Sequence, residues 1–158
     1  MIGVVGNAAK ADYARRLGAE VVIDRSREDF VDVVKAATDG RGADVVYDPV
    51  GGETYRRSTK CIAFEGRIVL VGFAGGEIQQ VALNHALIKN YTIAGLHWGL
   101  YRDADPQAVA ECHEALGDLA EKGAIRPLVA AELALEDVRQ GLAELAAGTT
   151  VGRYVYVA

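Results

Sequence analysis

Five glycines stand where this chain can take hold of a ligand. Gly51 and Gly52 follow the apolar run Val45-Val46-Tyr47, while Gly72, Gly75 and Gly76 follow Ile68-Val69-Leu70-Val71. Unbroken β-branched runs without polar alternation suit strands buried on both faces, as in a parallel sheet. Residues 53–65 between the runs read as a helix, so the glycines fall at the carboxyl ends of adjacent strands. Open α/β sheets bind ligands at that end, and glycine lets a backbone approach them closely. The same glycines also suit ordinary strand-to-helix turns, so pattern alone leaves ligand and turn both open.

No other constellation carries chemistry. There is no G-x-S-x-G elbow, no H-E-x-x-H and no G-x-x-x-x-G-K-[ST] loop, and His85, His97 and His113 lack metal-ligand spacing. His113 reads as a surface or packing residue, and no metal site is assigned. G-x-G-x-x-G is also missing, since Gly3-Val4-Val5-Gly6 lies within and at the end of a strand. Cys61 and Cys112 stand alone and read as reduced packing cysteines, consistent with a cytoplasmic protein.

Composition bounds the partners. A chain of 158 residues, 51% apolar and 25% charged, can bury a substantial core. A net charge of -5 with no basic stripe argues against nucleic acid. No apolar run approaches the roughly 20 residues that span a bilayer, and no signal peptide precedes the first strand.

The elements that must position the glycines follow in order. Residues 2–6 form a strand, and a helix begins at Asn7-Ala8-Ala9 with Tyr13, Ala14 and Leu17 on one face. Residues 20–24 form the next strand. Ser26 with Asp29 resembles a capping box opening a helix with Phe30, Val33, Val34 and Ala37 inward. Asp39-Gly40-Arg41-Gly42 turns into the central strand. Beyond Gly76 come a short helix over 81–90, a strand over 91–96 and the aromatic segment His97-Trp98-Gly99-Leu100-Tyr101. Asp105-Pro106 starts a helix that Gly123 ends. A strand over 128–133, a helix over 136–147 and a last strand over 153–157 complete the chain. The alternation implies a doubly wound α/β fold with right-handed parallel crossovers.

The phrases GVVGNAAKADYARRLGAEVVID, GRGADVVYDPVGG, GRIVLVGFAGG, IAGLHWGLY and VGRYVYVA run in that order across essentially all 158 residues. Their succession resembles the carboxyl half of the quinone oxidoreductases, medium-chain dehydrogenase/reductases related to zeta-crystallin and grouped with the zinc-binding dehydrogenases. The resemblance implies a Rossmann-type sheet over residues 1–122 and, over 123–158, a return segment of the catalytic domain. It implies an oxidoreductase that passes a hydride from NADPH to a quinone or an α,β-unsaturated carbonyl. An enoyl-thioester reductase and a non-catalytic NADPH-binding module remain alternatives. The family also pairs nucleotide domains edge to edge, which implies a homodimer through the strand over 91–96.

The resemblance assigns cofactor positions. An NAD enzyme would place a carboxylate at the tip of the first strand, whereas Gly6-Asn7 stand here with Lys10 three residues on. An uncharged tip beside a cation suits a 2′-phosphate, so Asn7, Lys10 and Arg25 are expected at the NADPH adenosine. Asp48, Val50 and Gly51 match the wrap around the nicotinamide ribose. Val71, Gly72, Phe73, His97 and Trp98 match the strand ends that hold the nicotinamide, and Arg153 matches a basic position reaching toward the cofactor. No general acid or base is assigned.

The family's glycine-rich phosphate loop, its strand and the amino-terminal catalytic domain have no counterpart in this sequence. The chain by itself is therefore expected to be catalytically silent. In the family order 3-2-1-4-5-6 the unmatched strand is central. The simplest expectation is closure, with residues 3–5 pairing directly to 45–47. A swapped dimer, or an amino-terminal half supplied from elsewhere, are the other ways to fill the gap.

Overall fold

The computed structural model describes residues 1–157, and its elements alternate as the apolar pattern dictates. Strand β1 (Ile2–Val5) leads to helix α1 (Ala8–Arg16), β2 (Val21–Asp24), α2 (Phe30–Ala36), β3 (Ala43–Asp48), α3 (Gly52–Ser58) and β4 (Ile62–Leu70). Then come α4 (Leu83–Lys89), β5 (Thr92–Gly95), α5 (Trp98–Ala104), α6 (Pro106–Glu121), β6 (Val129–Ala134), α7 (Val138–Ala146) and β7 (Arg153–Val157).

Local chemistry sets the helix starts. Asn7 caps α1 by accepting the Lys10 N–H at 2.9 Å, and Asp29 caps α2 by accepting the Val31 N–H at 2.8 Å. The expected capping box does not form. Ser26 turns back instead, donating from its hydroxyl to Asp24 Oδ1 at 2.6 Å, because the nearby carboxylate is the stronger acceptor. Asp105 caps α6 through the Ala108 N–H, with Pro106 at the first helical position.

Helix α3 is shorter than the pattern suggests, ending at Ser58 rather than Glu65. Cys61, Ile62 and Ala63 are buried, and the Ala43 N–H donates to the Cys61 carbonyl at 2.8 Å. Sheet pairing and burial of this apolar run thus outcompete helix propensity. The register jumps from Ala43↔Ile62 to Val45↔Arg67, a bulge on β4 in which Glu65 adopts φ 57°. The aromatic segment after β5 is helix α5, an element that pattern alone did not delimit.

All strand pairs are parallel, and they form three groups: β1-β2, β3-β4-β5 and β6-β7. Closure is thereby overturned, since β1 pairs with β2 and β3 with β4, and neither pairs with the other. The reason lies in α2. Its Phe30, Val31 and Val34 share one cluster with Ile2, Val21 and Ile23 on one side and with Ala43 and Cys61 on the other. Drawing the half-sheets together would expel that packing, worth about 1.5–3 kcal/mol per large side chain. The slot stays open, leaving Val4 43%, Val45 58% and Tyr47 68% exposed.

A second cluster, Tyr55, Ile62, Ile68 and Tyr91, seats α3 and α4 on the three-stranded sheet. In the carboxyl-terminal segment α7 lies on β6 and β7, where a Cβ at Gly141 would collide with the Tyr156 hydroxyl.

Candidate functional site: a cleft at the strand ends

The carboxyl ends of β4 and β5 open into a cleft of about 850 Å³, lined by residues 70–73, 95–97 and the inner side of α5. Parallel register brings the two ends level, with Leu70 opposite Gly95. The Leu96 N–H donates to the Leu70 carbonyl at 2.9 Å, so both chains splay only beyond that point. Val71, Gly72, Phe73 and His97 therefore meet in one cleft.

Trp98 does not line the cleft. It is the first residue of α5 and stacks on Tyr101, with ring centroids 5.2 Å apart. Leu100, Tyr101 and Ala104 line the cleft in its place. Their i, i+1, i+4 spacing is a helical face, the signal that could have singled them out once α5 was recognised.

The wrap at β3 is built differently from the ligand-contact reading. Asp48 is 2% exposed, and its Oδ1 accepts the N–H groups of Val50 and Gly51, each at 2.9 Å. Gln79 Oε1 accepts the Gly52 N–H at 2.9 Å. The chain's own side chains thus occupy the amides at the start of α3, and Asp48 organises the turn. Its Oδ2 is buried without a partner. Gly51 has φ +72°, and a Cβ there would stand 2.8 Å from Phe73 Cδ1. The glycine is needed because the Phe73 ring lies against the turn. Gly72 passes less tightly, 3.3 Å from the Pro49 carbonyl for an added Cβ. Over the turn runs residue Glu77, held by Arg56 at 2.8 Å. Hydrogen bonds from Arg56 keep the Glu77 carboxyl below its ordinary pKa.

A second hollow of about 360 Å³ lies where β1 and β2 end, between Gly6, Arg25, Ser26 and Phe30 on one side and Glu53, Thr54 and Arg57 on the other. Arg25 lies along the tip of β1, since a Cβ at Gly6 would sit 3.7 Å from its Nε. Arg57 stacks on Phe30, 4.8 Å from the ring centre, and pairs with Asp29. Lys10 is not part of this hollow. Its ammonium donates to the Gly148 carbonyl at 2.7 Å, and Asn7 is spent on capping α1. Arg153 opens β7, where its N–H donates to the Leu128 carbonyl at 2.8 Å, and it lines neither hollow.

Reactive side chains elsewhere are few. Burial pushes the Cys61 thiol above its ordinary pKa, which keeps it protonated and inert. Among the described residues no three His, Cys, Asp or Glu side chains come together to hold a metal ion. No helix among them is long and apolar enough to cross a membrane.

The geometry has relatives. Residues 1–114 match the family model described as zinc-binding dehydrogenase. A quinone oxidoreductase-like protein 2 homolog of Nematostella vectensis is 36% identical over 155 residues, covering 96% of this chain and 42% of that protein. The quinone oxidoreductase of Pseudomonas aeruginosa is 35% identical over 156 residues, covering 98% of this chain and 48% of that protein. Among solved structures, Escherichia coli quinone oxidoreductase complexed with NADPH superposes with a TM-score of 0.90 at 30% identity, over 99% of this chain and 49% of that one. The chain spans a little under half the length of each.

Proposed function

Because this chain belongs to the zinc-binding dehydrogenase family and is homologous to quinone oxidoreductases, we propose that it forms the cofactor side of an NADPH-dependent reductase. Its substrate on this reading is a quinone or an α,β-unsaturated carbonyl. The observation that carries the reading is the apolar cleft beyond β4 and β5, in a chain that superposes on an NADPH-complexed quinone oxidoreductase.

When bound, the reduced nicotinamide supplies a hydride, which with one solvent proton turns a quinone into its hydroquinone. The residues of this chain bind and orient. Gly72 lets the strand-end backbone approach a flat ring, Leu70 and Leu100 keep water from one side, and His97 and Tyr101 offer polar groups. At the other end, Arg25 beside the uncharged Gly6 supplies a cation where a 2′-phosphate would lie.

The reading extends to assembly. Among the described residues strand β5 pairs only with β4 and leaves its outer edge free. A twofold partner pairing β5 to β5 would cover that edge.

The test is NADPH and NADH consumption, with a simple benzoquinone and with a cyclic enone, by this chain fused behind the unmatched amino-terminal half of the Pseudomonas aeruginosa quinone oxidoreductase, the chain alone being expected silent. Quinone- or enone-dependent oxidation that prefers NADPH and is lost when Gly72 is replaced by valine supports the reading. Tight NADPH binding with neither acceptor reduced would instead support a binding module.

A further inference from the structure

Two loops that reach the strand ends are stitched into one body. The chain after β4 folds back over the turn between β3 and α3. There the Ala74 N–H donates to the Pro49 carbonyl and the Gly75 N–H to the Val50 carbonyl, each at 2.9 Å. Side chains hold the far limb of this loop. Gln79, only 7% exposed, accepts the Gly52 N–H through Oε1 at 2.9 Å, across 27 positions of sequence. Glu77 pairs with Arg56 at the surface. Asp48 takes the Val50 and Gly51 amides, so the chain itself claims three successive N–H groups of the turn.

Phe73 stands at the near end of the same loop and lines the cleft. Its carbonyl accepts the Gly76 N–H at 2.9 Å, so the residue that carries the ring belongs to the folded loop. A Cβ at Gly51 would lie 2.8 Å from Phe73 Cδ1 and 3.0 Å from Gln79 Oε1. The ring and the anchoring oxygen thus fill the same space beside one glycine. The anchors differ in what they ask of the sequence. Ala74 and Gly75 bond through the main chain, which every residue but proline supplies. The Arg56–Glu77 pair is exposed, and water screens a pair so placed. Gln79 and Gly52 are both buried, and without the Gln79 oxygen the Gly52 N–H would lie unpaired away from water.

We propose that Gln79 is a positioning residue that sets the Phe73 ring as a wall of the cleft. By holding Gly52 it locks the turn and the loop together, and the ring is seated where they meet. Gln79 lines neither hollow and acts only through Phe73. A shift of the ring would reshape the cleft beside Gly72. Reacting atoms tolerate little displacement, about 1 Å being enough to slow a reaction markedly. The placement of the ring stands on these contacts alone, whereas its effect on hydride transfer rests on the reductase reading.

Gln79→Met keeps the length of the side chain and removes the acceptor. Gln79→Glu keeps an acceptor, and Glu77→Ala removes only the surface pair. Gln79→Asn, one methylene shorter, is the milder second variant should Gln79→Met not fold. In the 158-residue chain without cofactor, NMR is expected to show Gly52 amide exchange at least about tenfold faster in Gln79→Met. The nuclear Overhauser contact between the Phe73 ring and the Gly51 α-protons should vanish with it. Gln79→Glu and Glu77→Ala should keep both. In the fused enzyme Gln79→Met should lower kcat about tenfold, with KM for benzoquinone changed less than about twofold, and Gln79→Glu should restore kcat. A ring contact that survives Gln79→Met, or is lost equally in Glu77→Ala, overturns the proposal, as does a lost contact with kcat unchanged. A wild-type fusion that consumes no NADPH would fail the reductase reading alone, and the NMR comparison would still decide whether Gln79 holds the ring.

Discussion

The Lys10 ammonium donates to the Gly148 carbonyl, tying α1 to the turn before β7, whereas Arg25 lies along the tip of β1 at Gly6. Of the two cations expected to face a 2′-phosphate, only Arg25 lines the hollow at that tip. Arg25→Ala should therefore lower the preference for NADPH over NADH about tenfold. Lys10→Ala should leave the preference unchanged. Paired titrations of both dinucleotides check this, and a Lys10 effect as large as that of Arg25 would refute the assignment.

Gly51→Ala should destabilise the fold by about 1–3 kcal/mol, because φ +72° strains any residue with a Cβ and Phe73 Cδ1 would be 2.8 Å away. The Phe73 ring, which also lines the cleft, would have to shift to relieve the clash. Urea titration reads the stability loss, and weaker nicotinamide binding reads the displaced ring. An unchanged unfolding midpoint would show that the turn relaxes freely.

The pH dependence follows from Asp24. Hydrogen bonds from the Ser26 hydroxyl and N–H, with Arg27 nearby, hold its carboxyl below the ordinary aspartate range. A carboxylate lowered in the folded state stabilises fully above its unfolded pKa and loses that contribution as pH falls through its folded pKa. Stability should thus drop through the acid side of the aspartate range. Ser26→Ala should lower stability at neutral pH and flatten that acid limb. Thermal unfolding across the range checks it, and parallel curves for both proteins would exclude Asp24 as a cause.

Edge pairing through β5 predicts a dimer. The Leu96 N–H bonds the Leu70 carbonyl, so the neighbouring Gly95 N–H turns outward. An added Cβ at Gly95 meets nothing within 4 Å, which leaves room for a side chain. Gly95→Pro removes one outward donor while the inner ladder stays paired. Light scattering should show the dimer become a folded monomer. A wild-type monomer at high concentration would end the proposal.

The sequence by itself determined the alternation of parallel strands and helices, the family, and the strand ends that line the cleft. These are local matters: β-branched runs, helical spacing and glycines at turns each act within a few residues. Residues 71–73 and His97 were legible for that reason, since a strand's carboxyl end follows from its own run of apolar residues.

Only the tertiary structure decided which side chains are free. Lys10, Asn7 and Asp48 read as ligand contacts, yet backbone groups claim them, one of these lying 138 positions away along the chain. Trp98, expected at the strand end, stacks on Tyr101 instead, and Tyr101, which had no assigned role, lines the cleft once α5 begins at Trp98. The sequence pointed to a gap between β1 and β3 but not to its staying open. Pairing preferences favour closing it, and only the shared packing of α2 against both half-sheets shows that burial holds it open.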